Sequence, residues 1–480
     1  MAETAIRTPL DPRRGARKTL GSVTIRFADV AFGLVAACLV LAGCAHSSGS
    51  TAGPAGPQFI SDDWSGALAR ARAEGKPLFV DAWAPWCHTC VSMKSYVFPD
   101  PAMTSVADRF IWLEIDTEKP VNRAFVERFP QEAWPTLMVV DSSTGQPTRR
   151  WVGSATATEL AARLQAAALA LTPGAPGTPG QAALAQASAA DAAGDHAAAT
   201  SALRYALAAT APRSLDHGQA AEALALRLEQ DGRNAECLEV GRSELSRVAP
   251  GTALANLAST GLSCALELPE ANPGRGAALQ QFEGRVAALT ADPSVLLLAD
   301  DRSSLFETLV GARKARGDLA GAQAAAQSWA AFLDGEAARA ADPAARAVFD
   351  SHRLSASIAL GQPERAVPFL QQSARDFPQD YNPPARLAVA YLAMREPQRA
   401  LDQANRAESL VYGPRTLRVL LTKAEAQARA GDPHAARATL ARAEQFVQGL
   451  PSAQRTEGMG KAIAAKRKAL FEPPTAARTP

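Results

Sequence analysis

Three short apolar runs stand out in the first third of the chain: PLFVDAW (77–83), FIWLEID (110–116) and PTLMVVD (135–141). Each has the length and the β-branched and aromatic content of a buried strand. Between them, VNRAFVERF (121–129) repeats its apolar positions at helical spacing. SSTGQ (142–146) reads as a turn, and TRRWVG (148–153) returns as a hairpin partner. The stretch 156–171 predicts an amphipathic closing helix capped by Thr156 or Thr158, and Ser61 or Asp62 can cap a helix running to Gly75. A further helix should start at Cys87. The predicted order over 59–171 is α-β-α-β-α-β-β-α.

Downstream the pattern changes. TPGAPGTPGQ (172–181) is a linker whose prolines and glycines continue neither helix nor strand. Everything from 182 to 471 has helical spacing, and 472–480 reads as a disordered tail. A phrase of a break followed by alanine or another small residue recurs, ending at Ala199, Cys237, Ala322, Ala366, Ala400 and Ala436. The last three anchors are 34 and 36 residues apart, a period that predicts helix-turn-helix units stacked into a solenoid. Ala388, Tyr391, Ala400 and Ala407 fall at the spacing of the tetratricopeptide repeat, which the region from about 350 to 450 resembles. Ala404 stands where that motif prefers a large aromatic.

The beginning of the chain is read differently. Arg13, Arg14, Arg17, Lys18 and Arg26 precede VAFGLVAACLVLAGC, which is short for a membrane-spanning helix and suits a signal-peptide core. Leu41-Ala42-Gly43-Cys44 resembles a bacterial lipobox. This implies a signal peptide over 1–43, lipid on Cys44 and a flexible tether over 44–58. Ala45 is not the aspartate that holds such lipoproteins at the inner membrane, so the expected location is the periplasmic side of the envelope, at the outer membrane. A formal net charge of +2 over 480 residues gives no reason to expect nucleic acid as a partner.

The chemistry concentrates in DAWAPWCHTC (81–90). A strand ending at Trp83 and a helix starting at Cys87 would place that sulfur among unsatisfied backbone N–H groups at the positive end of the helix dipole. Its thiolate is then favoured and Cys87 becomes the attacking sulfur. Cys90 lies one turn on, near enough to bond to it. Two other uses remain open on the residues alone. A structural staple across so short a loop would constrain the unfolded chain little. A metal site could draw on Cys87, His88 and Cys90, but no second close Cys/His cluster completes four ligands. Cys237 and Cys264 are about one helix pair apart and are either a structural disulfide or two buried thiols. His196, His217, His352 and His434 read as surface or packing residues.

Taken in order, LFVDAWAPWCHTC, VSMKSYVFPDPAM, FIWLEID, AWPTLMVVD and WVG resemble a thioredoxin-fold domain, most nearly the C-terminal periplasmic domain of DsbD-type disulfide reductases and its stand-alone relatives. The resemblance covers 59–171. It implies an α/β thioredoxin fold, a central mixed sheet flanked by helices, followed here by the all-α solenoid. It places Asp81 as the buried acid that takes a proton from Cys90, and Trp86 as the aromatic before the nucleophile. Pro135 matches the cis-proline facing the disulfide, with Trp134 offering backbone to an extended client, and Gly153 matches the glycine after the last strand. The dipeptide His88-Thr89 replaces the Gly-Pro of thioredoxin itself. His88 either stabilises the thiolate when protonated or is solvated.

The expected function is thus a lipid-anchored thiol–disulfide oxidoreductase, a reductase or isomerase of envelope protein disulfides, with its repeats docking clients or partners. The expectation includes no metal and no cofactor beyond the Cys87–Cys90 disulfide. A reductase of this kind needs a membrane electron donor, because the chain lacks the electron-carrying membrane part of the DsbD architecture. The alternative is an envelope scaffold that binds proteins through its repeats and keeps the front domain as a structural or redox-sensing module.

Overall fold

The computed structural model describes residues 56–172 and 177–472. The expected signal peptide, Cys44, most of the tether and residues 473–480 lie outside the described residues. Among the described residues no helix is long and apolar enough to cross a membrane.

Five strands form one mixed sheet in the order β1-β3-β2-β4-β5: β1 (Phe59–Ser61), β2 (Leu78–Trp83), β3 (Ile111–Asp116), β4 (Thr136–Asp141) and β5 (Gln146–Val152). The strands β1, β3 and β2 run parallel, and β4 and β5 run antiparallel. Alternation along β2 sends Leu78, Val80 and Ala82 to one face, against α1 (Trp64–Glu74). Phe79 goes to the other face, with Met93, Val97 and Trp112. Asp81 shares the parity of Phe79 and so points under the helix that follows the cysteines. That helix, α2 (His88–Ser92), continues as a wider π-turn through Met93–Val97. The short α3 (Thr104–Ala107) and α4 (Arg123–Arg128) follow, and α5 (Ala157–Ala170) closes the domain behind a capping box between Thr156 and Glu159.

The fold class is as expected, with three local differences. The three-residue β1 was missed. The first helix is capped by Asp63, because Asp62, at φ 57°, turns its carboxylate to Asp116 N, Asn122 Nδ2 and Lys119 Nζ. The helix after the linker starts at Pro179, with Thr178 as cap and proline in the first turn, where its missing N–H costs nothing.

Sixteen α-helices run from Pro179 to Phe471. Each recurring break is a helix end in left-handed backbone, as at Gly317 (φ 78°) and Gly431 (φ 92°), and in three cases the next residue caps the following helix: Asp195, Asp318 and Asp432. The anchors Ala199, Cys237, Ala322, Ala366, Ala400 and Ala436 are all buried, as is Ala404. Small residues there let neighbouring helices approach closely.

The helical region does not stand apart from the sheet. The Pro179–Ala192 helix packs on β5 and covers an edge of the sheet that would otherwise be open. Arg150 of β5 pairs with Asp191, and Arg227 with Glu132 at 2.8 Å. Further along, Thr252 donates to Glu159 (2.8 Å), Tyr96 to the Ala345 carbonyl (2.9 Å) and Gln454 to the Thr117 carbonyl (2.8 Å). Residues 56–172 and 177–472 lie in one compact unit, and residues of the helical region also contact the loops next to the cysteines.

Candidate redox site

Cys87 is the N-cap of α2, and its Sγ accepts the backbone N–H of Cys90 at 3.0 Å. The two sulfurs are bonded, with Cα atoms 5.2 Å apart. Cys90 is fully buried and Cys87 only 5% exposed. Trp83, Trp86 and Trp134 pack against the pair. The Trp134–Pro135 peptide bond is cis. Gly153, at φ 89°, donates its N–H to the Pro135 carbonyl and ties the end of β5 to that loop.

Asp81 is completely buried, and neither carboxylate oxygen has a hydrogen-bond partner. The nearest cation is Lys94 Nζ at 3.9 Å, itself paired with Glu114. Burial pushes the Asp81 carboxyl up to about 7, against a modest pull from Lys94. The group therefore exchanges a proton near neutral pH, as a general base for Cys90 would need to.

The helical region reaches this site at several points that the sequence did not mark. Trp86 Nε1 donates to Glu118 Oε1 (2.8 Å), and Glu118 Oε2 accepts the Arg415 N–H (2.7 Å). The Arg415 guanidinium lies 4.7 Å from the centre of the Trp86 ring. Tyr412 donates to Asp116 (2.6 Å), and Asn382 to the Pro85 carbonyl (3.1 Å), two residues before Cys87. Gly413 must be glycine here. Its φ is 63°, and a Cβ would strike the backbone oxygen of Glu118.

On the other side of the disulfide, Asp300 grips both residues between the cysteines. His88 Nδ1 lies 2.9 Å from each Asp300 oxygen, and Thr89 Oγ1 donates to Oδ2 at 3.0 Å. Burial works against charge on both partners, yet their attraction wins: the His88 imidazole is held above its ordinary value and the Asp300 carboxyl below it. His88 is therefore a partnered side chain and not a solvated one. His352, expected at the surface or in packing, lies against His88 with ring centres 4.0 Å apart and the rings tilted by 54°. Burial and the neighbouring His88 push the His352 imidazole down to about 3, so its ring is neutral. Cys237 and Cys264 form a second disulfide, far from this chemistry in sequence and with no catalytic neighbours among the expected residues.

A cleft of about 890 Å³ opens beside the disulfide, lined by Trp86, Glu118 and Trp134 from the α/β domain and by Arg415, Leu421 and Met459 from the repeats. It ends on two of the three tryptophans that cover the sulfurs.

Residues 59–142 match a family model described as thioredoxin-like. Over 82 residues the chain is 35% identical to the thiol:disulfide interchange protein DsbD of Pseudoalteromonas atlantica, covering 17% of this chain and 14% of that protein. Over 126 residues it is 29% identical to thiol:disulfide interchange protein DsbD 1 of Pseudomonas aeruginosa, covering 24% of this chain and 21% of that protein. The chain thus spans only a small part of the length of either relative. Among solved structures it is similar to a tetratricopeptide repeat protein from Parabacteroides merdae, with a TM-score of 0.39 and 11% identity over 60% of this chain and 98% of the other. The chain carries a thioredoxin-like domain with a Cys-x-x-Cys disulfide, followed by a helical repeat region.

Proposed function

We propose that this protein is a thiol–disulfide oxidoreductase of the bacterial envelope, anchored by lipid on Cys44 and facing the periplasm at the outer membrane. The observation that carries the reading is the placement of Cys87: a sulfur at a helix cap, accepting a backbone N–H, bonded to a partner one turn on, after a strand that carries a buried acid titrating near neutrality. The backbone N–H stabilises negative charge on the sulfur once the bridge is open. In the reducing direction the Cys87 thiolate attacks one sulfur of a client disulfide, forming a mixed disulfide and releasing the first client thiolate. Cys90, deprotonated by Asp81, then attacks Cys87 Sγ. The second client thiolate leaves, and Cys87–Cys90 is again oxidised. Two electrons have passed to the client, and a membrane-bound dithiol donor must restore them. Reduction or isomerisation of protein disulfides is favoured over oxidation by the likeness to the interchange proteins. The cleft between Trp134 and the repeats is large enough for an extended client segment, so the repeats dock clients there.

One observation favours the second reading, a scaffold with a redox-sensing front module: Cys87 is only 5% exposed and Cys90 is fully buried. The two readings separate in one experiment. Under the first, the reduced full chain has a single fast-alkylating thiol at Cys87, Cys87→Ala abolishes insulin reduction, and Cys90→Ala accumulates mixed disulfides with envelope proteins. Full insulin reduction by Cys87→Ala removes the enzyme reading and leaves the scaffold.

A further inference from the structure

We propose that His88, Asp300 and His352 form a binding site for a zinc-type divalent cation, built between the redox helix and the repeats. From the sequence, a metal at the cysteine motif lacked further ligands nearby. The fold supplies them from 212 residues away, on the Ala299–Ala315 helix, and from the Asp350–Ala359 helix beyond it. One donor atom from each of the three residues lies within 4.8 Å of the others. The edges on Asp300 Oδ1 are 2.9 Å to His88 Nδ1 and 3.8 Å to His352 Nδ1. Ligands about 2.0–2.2 Å from a tetrahedral zinc are about 3.3–3.6 Å apart, so the two edges on Asp300 need shifts of roughly half an ångström or less.

The strongest sign is what the present contacts leave undone. A proton shared by His88 and Asp300 satisfies those two side chains. It leaves His352, 2% exposed, with neither ring nitrogen hydrogen-bonded. Orphaned polar atoms at that depth are costly. A cation in place of the His88 Nδ1 proton engages all three groups together. The surroundings already have the form of an outer shell. Thr89 Oγ1 holds Asp300 Oδ2, which leaves Oδ1 toward the two imidazoles. Glu307 Oε2 lies 3.7 Å from His352 Nε2, placed to take that N–H once Nδ1 binds metal. Two imidazoles and one carboxylate suit zinc and its transition-metal neighbours and not magnesium or calcium. The edge of His88, 30% exposed, leaves a position for water as the fourth ligand. Occupancy would pin α2 to the repeats through residues that do not line the cleft. The inference stands without the redox reading, since none of its ligands is a sulfur.

The test uses the full chain in detergent, kept oxidised so that Cys87 and Cys90 cannot bind metal themselves. Calorimetric titration with Zn²⁺, and Co²⁺ titration followed by its visible absorption, should each show one equivalent bound with micromolar or tighter affinity. Asp300→Asn and His352→Phe are checked for folding by circular dichroism, and each folded variant should bind at least tenfold more weakly. His196→Gln is the control, because His196 lies 3.5 Å from both Glu132 and Asp231 and could hold adventitious metal. It should leave the one-equivalent binding intact. No saturable binding, binding that persists in both site variants, or binding lost in His196→Gln overturns the proposal.

Discussion

Replacing Asp81 by Asn probes the redox site and the energetics of the fold together. The side chain is fully buried, faces Lys94 at 3.9 Å with Glu114 behind it, and has no hydrogen bond to either oxygen. Its carboxyl is raised from 3.8 to about 7. Because the folded value lies above the unfolded one, the folded state holds the proton over a range where the unfolded chain has lost it. Stability is therefore full below about pH 4, falls as pH rises toward 7 and is flat beyond. The gap of about 3 pH units corresponds to roughly 4 kcal/mol as an upper bound. Asn has the size of the protonated carboxyl and cannot ionise, so the variant should lack this loss. Guanidinium unfolding of both proteins at pH 5 and pH 8 gives the measurement. The variant should gain on the parent by several kcal/mol at pH 8 and by much less at pH 5. Taking the difference between the proteins removes the other buried acids, which titrate in both. Insulin reduction with dithiothreitol as donor should fall roughly a hundredfold, the scale expected for loss of a positioned base. Parallel pH dependence in the two proteins, within about 1 kcal/mol, would refute the burial argument, and unchanged turnover would refute the proton-transfer role.

Two further outcomes follow from the repeats. Arg395 occupies, at φ 60°, the left-handed helix-end position that glycine fills at Gly317 and Gly431. Arg395→Gly should raise stability by about 1 kcal/mol in chemical unfolding, and a loss would show that the Arg395 side chain matters more than its backbone. The Cys237–Cys264 bridge joins the Asn234–Glu244 and Thr252–Glu267 helices across 27 residues. Replacing both cysteines by Ala should cost about 3–4 kcal/mol from restored unfolded-state freedom, read as a lower denaturation midpoint of the oxidised chain with insulin reduction retained.

The α/β domain was legible because its signals are local. Three of the five strands are apolar runs, β5 is marked by the turn before it, and β1 escapes because three residues carry no period. Asp62 misled for a different reason. It is a good helix cap by type, but the fold uses its carboxylate to bind the end of β3 and the loop after it. In the repeats the helices are readable from their breaks, since a left-handed turn favours glycine and a helix cap favours a short polar side chain wherever they occur.

The site was legible by half, and the division is physical. Cys87, Cys90, Trp86 and Pro135 are named by a motif, which is a statement about neighbours in sequence. Asp300, His352, Asn382, Tyr412 and Arg415 reach the same site from helices and a helix-connecting loop more than 200 residues on, and nothing in their local sequence distinguishes them from other side chains of the helical region. Their contacts nevertheless change the chemistry that the motif implies. The first residue between the cysteines here pairs with a buried carboxylate of the helical region. The carbonyl of Pro85, two residues before the nucleophile, accepts from Asn382, and the ring of Trp86 is held between Glu118 and Arg415. The residues on either side of the nucleophile are thus held in part by the repeats. The repeats therefore bear on this site through the same hydrogen bonds that fix its geometry.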